Sequence, residues 1–223
     1  MLKLPYFTGA IFDLDGVLVD TARYHFLAWR RLAESLGFLF TERDNERLKG
    51  VSRMRSLEIL LEVGGLSLPE EEKVRLAAQK NAWYVESLNT LSEKDLLPGA
   101  LDYLCSCRAE GKKIAIGSAS RNAPLILERL GIAALFDVII DGTRVSSAKP
   151  DPEVFTVAVQ ALGLSPAECL VFEDALAGIE AAHAAGCRAV AVGDPNQLPG
   201  AEWYVRDLGD LLEQNPNKGD NRI

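Results

Sequence analysis

Two aspartates, Asp13 and Asp15, stand one residue apart directly after the apolar run Ala10-Ile11-Phe12. Alternate residues of an extended segment share a side, so both carboxylates can face one point. Placed together they repel, and each raises the other's pKa unless a cation lies between them. A hard divalent ion with oxygen ligands removes that conflict, and magnesium is the usual companion of phosphate groups. Taken alone, the pair is also what an ordinary solvated acidic loop contains.

Three further segments add to it. Lys113–Gly117 reads as a strand running into Ser118-Ala119-Ser120, where a hydroxyl and backbone N–H groups can cradle a phosphate. Ser120 serves equally well as an N-cap for the helix that opens at Asn122. Lys149, just before Pro150, offers a local cation, although an ordinary surface lysine would read the same way. Cys169–Phe172 reads as a strand running into Glu173-Asp174. One of these acids can cap the following helix, but two at one strand end call for a cation. Together the segments suit phosphoryl transfer. The Asp13 carboxylate would attack phosphorus, and magnesium and Lys149 would neutralise the equatorial oxygens. Asp15 would protonate the leaving oxygen and deprotonate the next acceptor.

The elements that must position these groups follow from periodicity. Thr8–Leu14 reads as a strand buried on both faces, the mark of a parallel sheet. Helical patterns follow over Ala22–Leu36, Glu42–Leu48, Arg53–Val63 and Pro69–Leu88, with no strand pattern between them and a Ser67/Glu70 capping box before the last. From Leu97 onward, strands alternate with helices. Ala100–Glu110, Asn122–Leu130 and Ala175–Ala185 read as helices, and Asp151-Pro152 opens another as N-cap and first residue. Phe136–Ile140 and Arg188–Val192 read as further strands. This predicts a doubly wound, Rossmann-like α/β core with a helical cap inserted after the first strand. The core comprises residues 1–21 and 90–223, and the cap residues 22–89. Ligands in such sheets bind at the carboxyl ends of the strands. The Thr21 region and Thr90–Leu97 are the two crossings where hinging is expected. The polar tail from Gln214 is expected to fray.

Bulk properties narrow the partners. The 223 residues are 48% hydrophobic and 25% charged, an ordinary globular composition. A net charge of -8 disfavours nucleic acid, and a phosphate site therefore needs its own local cations. The four cysteines lack a metal-binding spacing, and zinc and disulfides are not expected. No run is long enough for a membrane span, which points to the cytoplasm. A monomer is the expected state.

The segments Asp13-Leu14-Asp15-Gly16-Val17, Ser118, Lys149-Pro150-Asp151-Pro152 and Glu173-Asp174-Ala175-x-Ala177-Gly178-Ile179 resemble the four motifs of the haloacid dehalogenase-like superfamily. Within it, Asp20-Thr21-Ala22-x-Tyr24-His25-Phe26-x-Ala28-Trp29, Leu48-Lys49-Gly50-Val51-Ser52-Arg53 and Ser118-Ala119-Ser120-x-Asn122 are most similar to the β-phosphoglucomutase family. The resemblance implies interconversion of β-D-glucose 1-phosphate and glucose 6-phosphate through a sugar bisphosphate intermediate. It implies Mg²⁺ held by Asp13, the backbone oxygen of Asp15 and Asp174, with Glu173 nearby. Ser118, Ala119 and Lys149 would hold the transferring phosphate, and Arg53, Ser120 and Asn122 the other one. Thr21 would lie in the hinge, and His25 and Lys80 would couple cap closure to Asp15 or the sugar. Lys49, Gly50 and Arg121 join the substrate-binding set by the same resemblance. Arg121 departs from a commoner lysine, Ala175 from a frequent serine, and Ala148 from the usual serine or glycine.

A phosphatase admits water to the aspartyl-phosphate, whereas a mutase excludes it and offers a second sugar hydroxyl. Gripping a bisphosphate in either orientation needs a second cationic site, which Arg53 can provide with its two-pronged guanidinium. Mutase is therefore the expectation, with a sugar phosphatase as the alternative. A non-catalytic phosphate-binding protein is the third reading, and a binding module would have no use for Asp15.

Overall fold

The computed structural model describes residues 4–48 and 51–212. Its sheet has six strands in the order β3-β2-β1-β4-β5-β6. The strands are β1 (Gly9–Phe12), β2 (Lys113–Gly117), β3 (Val138–Ile140), β4 (Cys169–Glu173), β5 (Arg188–Val192) and β6 (Trp203–Val205). Every neighbouring pair is parallel. β1 is central, flanked by β2 and β4, so its carboxyl end lies where the chain reverses its winding.

Period-two alternation sends side chains to two separate cores. Ala10, Phe12, Ile114, Ile116, Leu170, Phe172, Val190 and Val192 face one side. Ile11, Ala115, Cys169, Val171, Ala189 and Ala191 face the other. Helices α5 (Ala100–Ala109) and α6 (Ala123–Arg129) contribute to the first core. Helices α7 (Glu153–Leu162) and α8 (Leu176–Ala184) contribute to the second. Phe12 stacks on Phe172 with ring centroids 4.6 Å apart, and Tyr103 of α5 meets both edge-on. This aromatic group lies directly beneath the strand ends that carry Asp13 and Glu173.

Between β1 and α5 the chain forms α1 (Ala22–Ser35), α2 (Glu42–Glu46), α3 (Arg53–Val63) and α4 (Glu70–Ser87). These helices enclose a third core that includes Trp29, Leu32, Phe40, Leu57, Leu60 and Leu76. The far end of α4 leaves it: Tyr84 and Leu88 pack with Ala28 into the first sheet core. The two connections to the cap run side by side. Val19 forms an antiparallel bridge with Leu96, and Leu97 N–H donates to the Leu18 carbonyl at 2.9 Å.

Several boundaries differ from the sequence reading. α4 begins at Glu70 after Pro69, without a side-chain cap, so the Ser67/Glu70 capping box does not form. Pro69 fixes the preceding backbone as extended, which leaves Ser67 too far out to reach the first turn. Pro152, not Asp151, is the N-cap of α7, and Asp151 Oδ1 accepts from Glu153 N–H at 2.9 Å. β6 was not expected from the sequence, being a three-residue edge strand between polar loops. Lys49, Gly50 and the tail from residue 213 lie outside the described residues.

Replacing Phe172 by alanine removes the centre of the aromatic group. We expect a loss of ~3–5 kcal/mol in chemical denaturation.

Candidate active site

Asp13 follows β1, Ser118 follows β2, and Glu173 closes β4, so the parallel register brings all three to one rim. The loop carrying Lys149 closes over them. Lys149 is buried, and its Nζ donates to Asp13 Oδ1 at 2.6 Å and to Glu173 Oε1. Burial alone would lower the ammonium's pKa, but Asp13 and Glu173 outweigh it and hold Lys149 protonated above its ordinary value.

Carboxylate oxygens of Asp13, Glu173 and Asp174 lie within 4.8 Å of one another. Burial raises the pKa of Glu173, with the Asp13 charge adding to the rise and Lys149 opposing it. Burial also raises the pKa of Asp174, and the charges of Glu173 and Asp13 push it further. One lysine thus faces three acids. An all-oxygen donor set with unneutralised charge suits a hard divalent cation. Asp174 does not cap α8; Ala175 takes that position, and Glu173 Oε2 accepts from Ala175 N–H at 3.0 Å. A cleft of about 410 Å³, walled by Gly16, Val17, Gly193, Asp194 and Arg206 among others, also reaches Asp174.

Two glycines make room for these acids. Gly16 adopts a φ of 88°, and a Cβ there would overlap the Asp174 carboxylate. A Cβ on Gly178, in the first turns of α8, would overlap the Glu173 carboxylate.

Asp15 points elsewhere. It is half-buried, and its Oδ1 accepts from the hydroxyl of fully buried Thr21. Its carboxylate is not one of the three that cluster within 4.8 Å. Loss of solvent, then the Asp13 charge, pushes its pKa up to about 6. Beyond Thr21 lies a cap group. Lys80 Nζ is 2.8 Å from His25 Nδ1 and sits over the Trp29 and Tyr84 rings at 4.4 and 4.9 Å. Burial and the Arg53 charge push Lys80 down to about 7. Burial, Lys80 and Arg53 hold the His25 ring well below its usual pKa.

The remaining residues lie on the loop after β2 and at the start of α3. Ser118 is buried, its N–H donates to the Ile140 carbonyl at 3.0 Å, and its Oγ accepts from Ser120 N–H at 3.1 Å. Ser120 Oγ accepts from Asn122 N–H at 3.2 Å, and Ala119 lies between Ser118 and Ser120 in the loop. Arg53, at the start of α3, is half-buried; burial and then the charge of Arg121 hold its pKa down, which places the two guanidiniums in one field.

Two contributors escaped the sequence reading. Buried Asp141 anchors the loop after β3 by accepting from Thr143 N–H at 2.8 Å, and Gly142 N–H donates to the Ser120 carbonyl at 3.3 Å. Their signal was present, since Asp-Gly follows the predicted strand Phe136–Ile140 as acidic residues follow β1 and β4. Asn81 accepts from Asn122 Nδ2 at 3.0 Å, and no spacing in the sequence announces it.

Comparison with known proteins shows the family. The family model described as haloacid dehalogenase-like hydrolase matches residues 7–186. The chain belongs to this family. Among haloacid dehalogenase-like proteins it is 47% identical over 205 residues to a β-phosphoglucomutase of Bacillus subtilis, covering 91% of each chain. It is 36% identical over 179 residues to a phosphorylated carbohydrates phosphatase of Thermotoga maritima, covering 80% of this chain and 81% of that one. A crystal structure of a β-phosphoglucomutase from Clostridium difficile superposes with a TM-score of 0.88 at 42% identity, covering 92% and 93% of the two chains. Haloacid dehalogenase-like phosphotransferases use a divalent metal, and the three-acid cluster offers a place for one. No helix among the described residues is long and apolar enough to cross a membrane.

Gly178→Ala is expected to displace Glu173 from Lys149. Overpacking of this kind costs ~1–3 kcal/mol of stability. Divalent-ion binding, followed by calorimetry, should weaken alongside it.

Proposed function

We propose that this chain is a magnesium-dependent phosphomutase that interconverts β-D-glucose 1-phosphate and glucose 6-phosphate through an aspartyl-phosphate on Asp13 and a 1,6-bisphosphate. The observation that carries this reading is the presence of two cationic places. Lys149 lies against Asp13 in the core, and Arg53 shares a field with Arg121 where cap meets core. A substrate with a phosphate at each end needs both. The extensive identity to the Bacillus subtilis β-phosphoglucomutase supports the same reading.

In this proposal Asp13 attacks a phosphoryl group of the bisphosphate. The bond from phosphorus to the sugar oxygen breaks, and that oxygen takes a proton from Asp15. Glucose 6-phosphate leaves, and Asp15, with a pKa of about 6, then takes the proton of the 6-hydroxyl of an incoming β-glucose 1-phosphate, whose oxygen attacks the aspartyl-phosphate, breaks the bond from phosphorus to Asp13 and regenerates the bisphosphate. Thr21 orients the Asp15 carboxylate through its hydroxyl. Lys149, Ser118 and Ala119 hold the transferring phosphate, and Arg53, Ser120, Arg121 and Asn122 the other; Lys49 and Gly50 join them. His25 and Lys80 tie cap position to the neighbourhood of Asp15, with Lys80 reaching for the sugar. Magnesium, held by Asp13, Asp174 and the Asp15 backbone oxygen with Glu173 nearby, would neutralise charge on the phosphoryl oxygens. The cap's edges fall at residues 21/22 and 89/90, close to the Val19–Leu96 bridge. The enzyme works as a monomer in the cytoplasm under this reading.

Purified protein with magnesium, β-glucose 1-phosphate and a trace of the 1,6-bisphosphate should yield glucose 6-phosphate. Inorganic phosphate as the main product would favour the phosphatase reading, for which the Thermotoga maritima relative speaks. Asp13→Asn should abolish turnover. Arg53→Ala should impair bisphosphate exchange far more than formation of the aspartyl-phosphate; equal losses would count against its role.

Magnesium binding should also depend on pH. The raised pKa values of Glu173 and Asp174 mean that protons occupy the cluster when no metal is bound. Binding must displace them, so affinity rises with pH across neutrality, by up to ~10-fold per pH unit for each proton released. Calorimetry in buffers of different ionisation enthalpy would count those protons.

A further inference from the structure

Asn122 is the N-cap residue of α6, yet its side chain does not cap that helix. An asparagine in this position ordinarily turns its oxygen back onto the first free N–H groups. Here Asn122 Nδ2 instead donates across the domain boundary to Asn81 Oδ1 at 3.0 Å. Asn81 follows Lys80 on α4, and both amides are partly buried.

The contact has a counterpart. Arg129 Nη2, at the other end of α6, donates to Asn89 Oδ1 at 3.0 Å, just beyond α4 in the 3₁₀ turn Leu88–Thr90. On each element the two partners sit about two helical turns apart. α6 therefore lies alongside the end of the cap helix and is held at two points, in each case by donating to an asparagine carbonyl.

The chemistry at the two points differs. A carboxamide presents one acceptor and two N–H donors. With one N–H committed to Asn81, the amide of Asn122 cannot turn over, and its second N–H is left for another acceptor. Without Asn81 the amide can rotate and offer its oxygen, which repels an anion. Asn89 orients only an exposed arginine.

We infer that Asn81 is a positioning residue: by accepting from Asn122 across the boundary, it sets the Asn122 amide to donate to the non-transferring phosphate, and only while the cap lies on the core. This rests on the mutase reading above, in which Asn122 serves that phosphate.

The test uses the full chain in an Asp13→Asn background, so that glucose 1,6-bisphosphate binds without turnover. Asn81→Leu, similar in size and unable to accept, should weaken bisphosphate binding about 10-fold in calorimetry, the scale of one hydrogen bond to a charged group. Asn89→Ala should leave it within twofold. The ¹⁵N side-chain signal of Asn122, assigned by NMR, should shift and exchange faster with solvent in Asn81→Leu but not in Asn89→Ala. Asn81→Asp retains an acceptor and should keep the Asn122 signal near its original position; it also serves if the leucine variant fails to fold. Equal losses of affinity from Asn81→Leu and Asn89→Ala, or an unmoved Asn122 signal in Asn81→Leu, would overturn the assignment. If the Asp13→Asn protein binds glucose 1,6-bisphosphate no better than inorganic phosphate, the mutase reading itself falls. The NMR result would then report separately whether Asn81 orients Asn122.

Discussion

The buried ammonium of Lys149 is the constraint from which the rest follows. Three carboxylates share the rim where β1 and β4 end, and Lys149 is the cation that contacts two of them directly. Breaking a buried ion pair on one side leaves an uncompensated charge and costs several kcal/mol, so the loop that delivers Lys149 is held to one place. The sheet register must then put Asp13 and Glu173 side by side, which the pairing of Phe12 with Phe172 achieves. The same pairing stacks two aromatic rings beneath the charges and seals them from the first core. Gly16 and Gly178 complete the arrangement, because any side chain at either would occupy space the acids need.

The site is electrically graded from core to cap. At Asp13 the charges are tightly paired. At Asp15 they are loosened, since Thr21 offers a neutral hydroxyl and burial leaves the carboxyl able to hold a proton near neutrality. In the cap, Lys80 is stripped of water and placed over aromatic faces, with neutral His25 as its partner. A group that accepts and returns protons belongs in the middle zone, where neither form is strongly favoured.

Much of this was legible in the sequence, for identifiable reasons. β1, β2 and β4 are buried on both faces, so they appear as unbroken apolar runs, and the functional groups follow each run within a residue or two. The bounds of β2, α3 and β5 agree with the reading because Gly117, Ser52 and Gly193 mark their ends. β6 was missed because three residues at a sheet edge carry no period. The Ser67 cap misled because a proline overrides a side-chain hydrogen bond in choosing where a helix starts. Asn81 lay beyond the sequence for a different reason. Its partner is 41 positions away on another domain, and only the docking of α6 along α4 brings them together.

The antiparallel bridge between Val19 and Leu96 also joins the two chain crossings between cap and core to each other. Both strands of the crossing are stitched at one seam, and the seam is joined to the catalytic loop by the bridge from Asp15 to Val19. A single stitched seam keeps the two crossings in register with each other, and through Val19 it ties them to the backbone at Asp15.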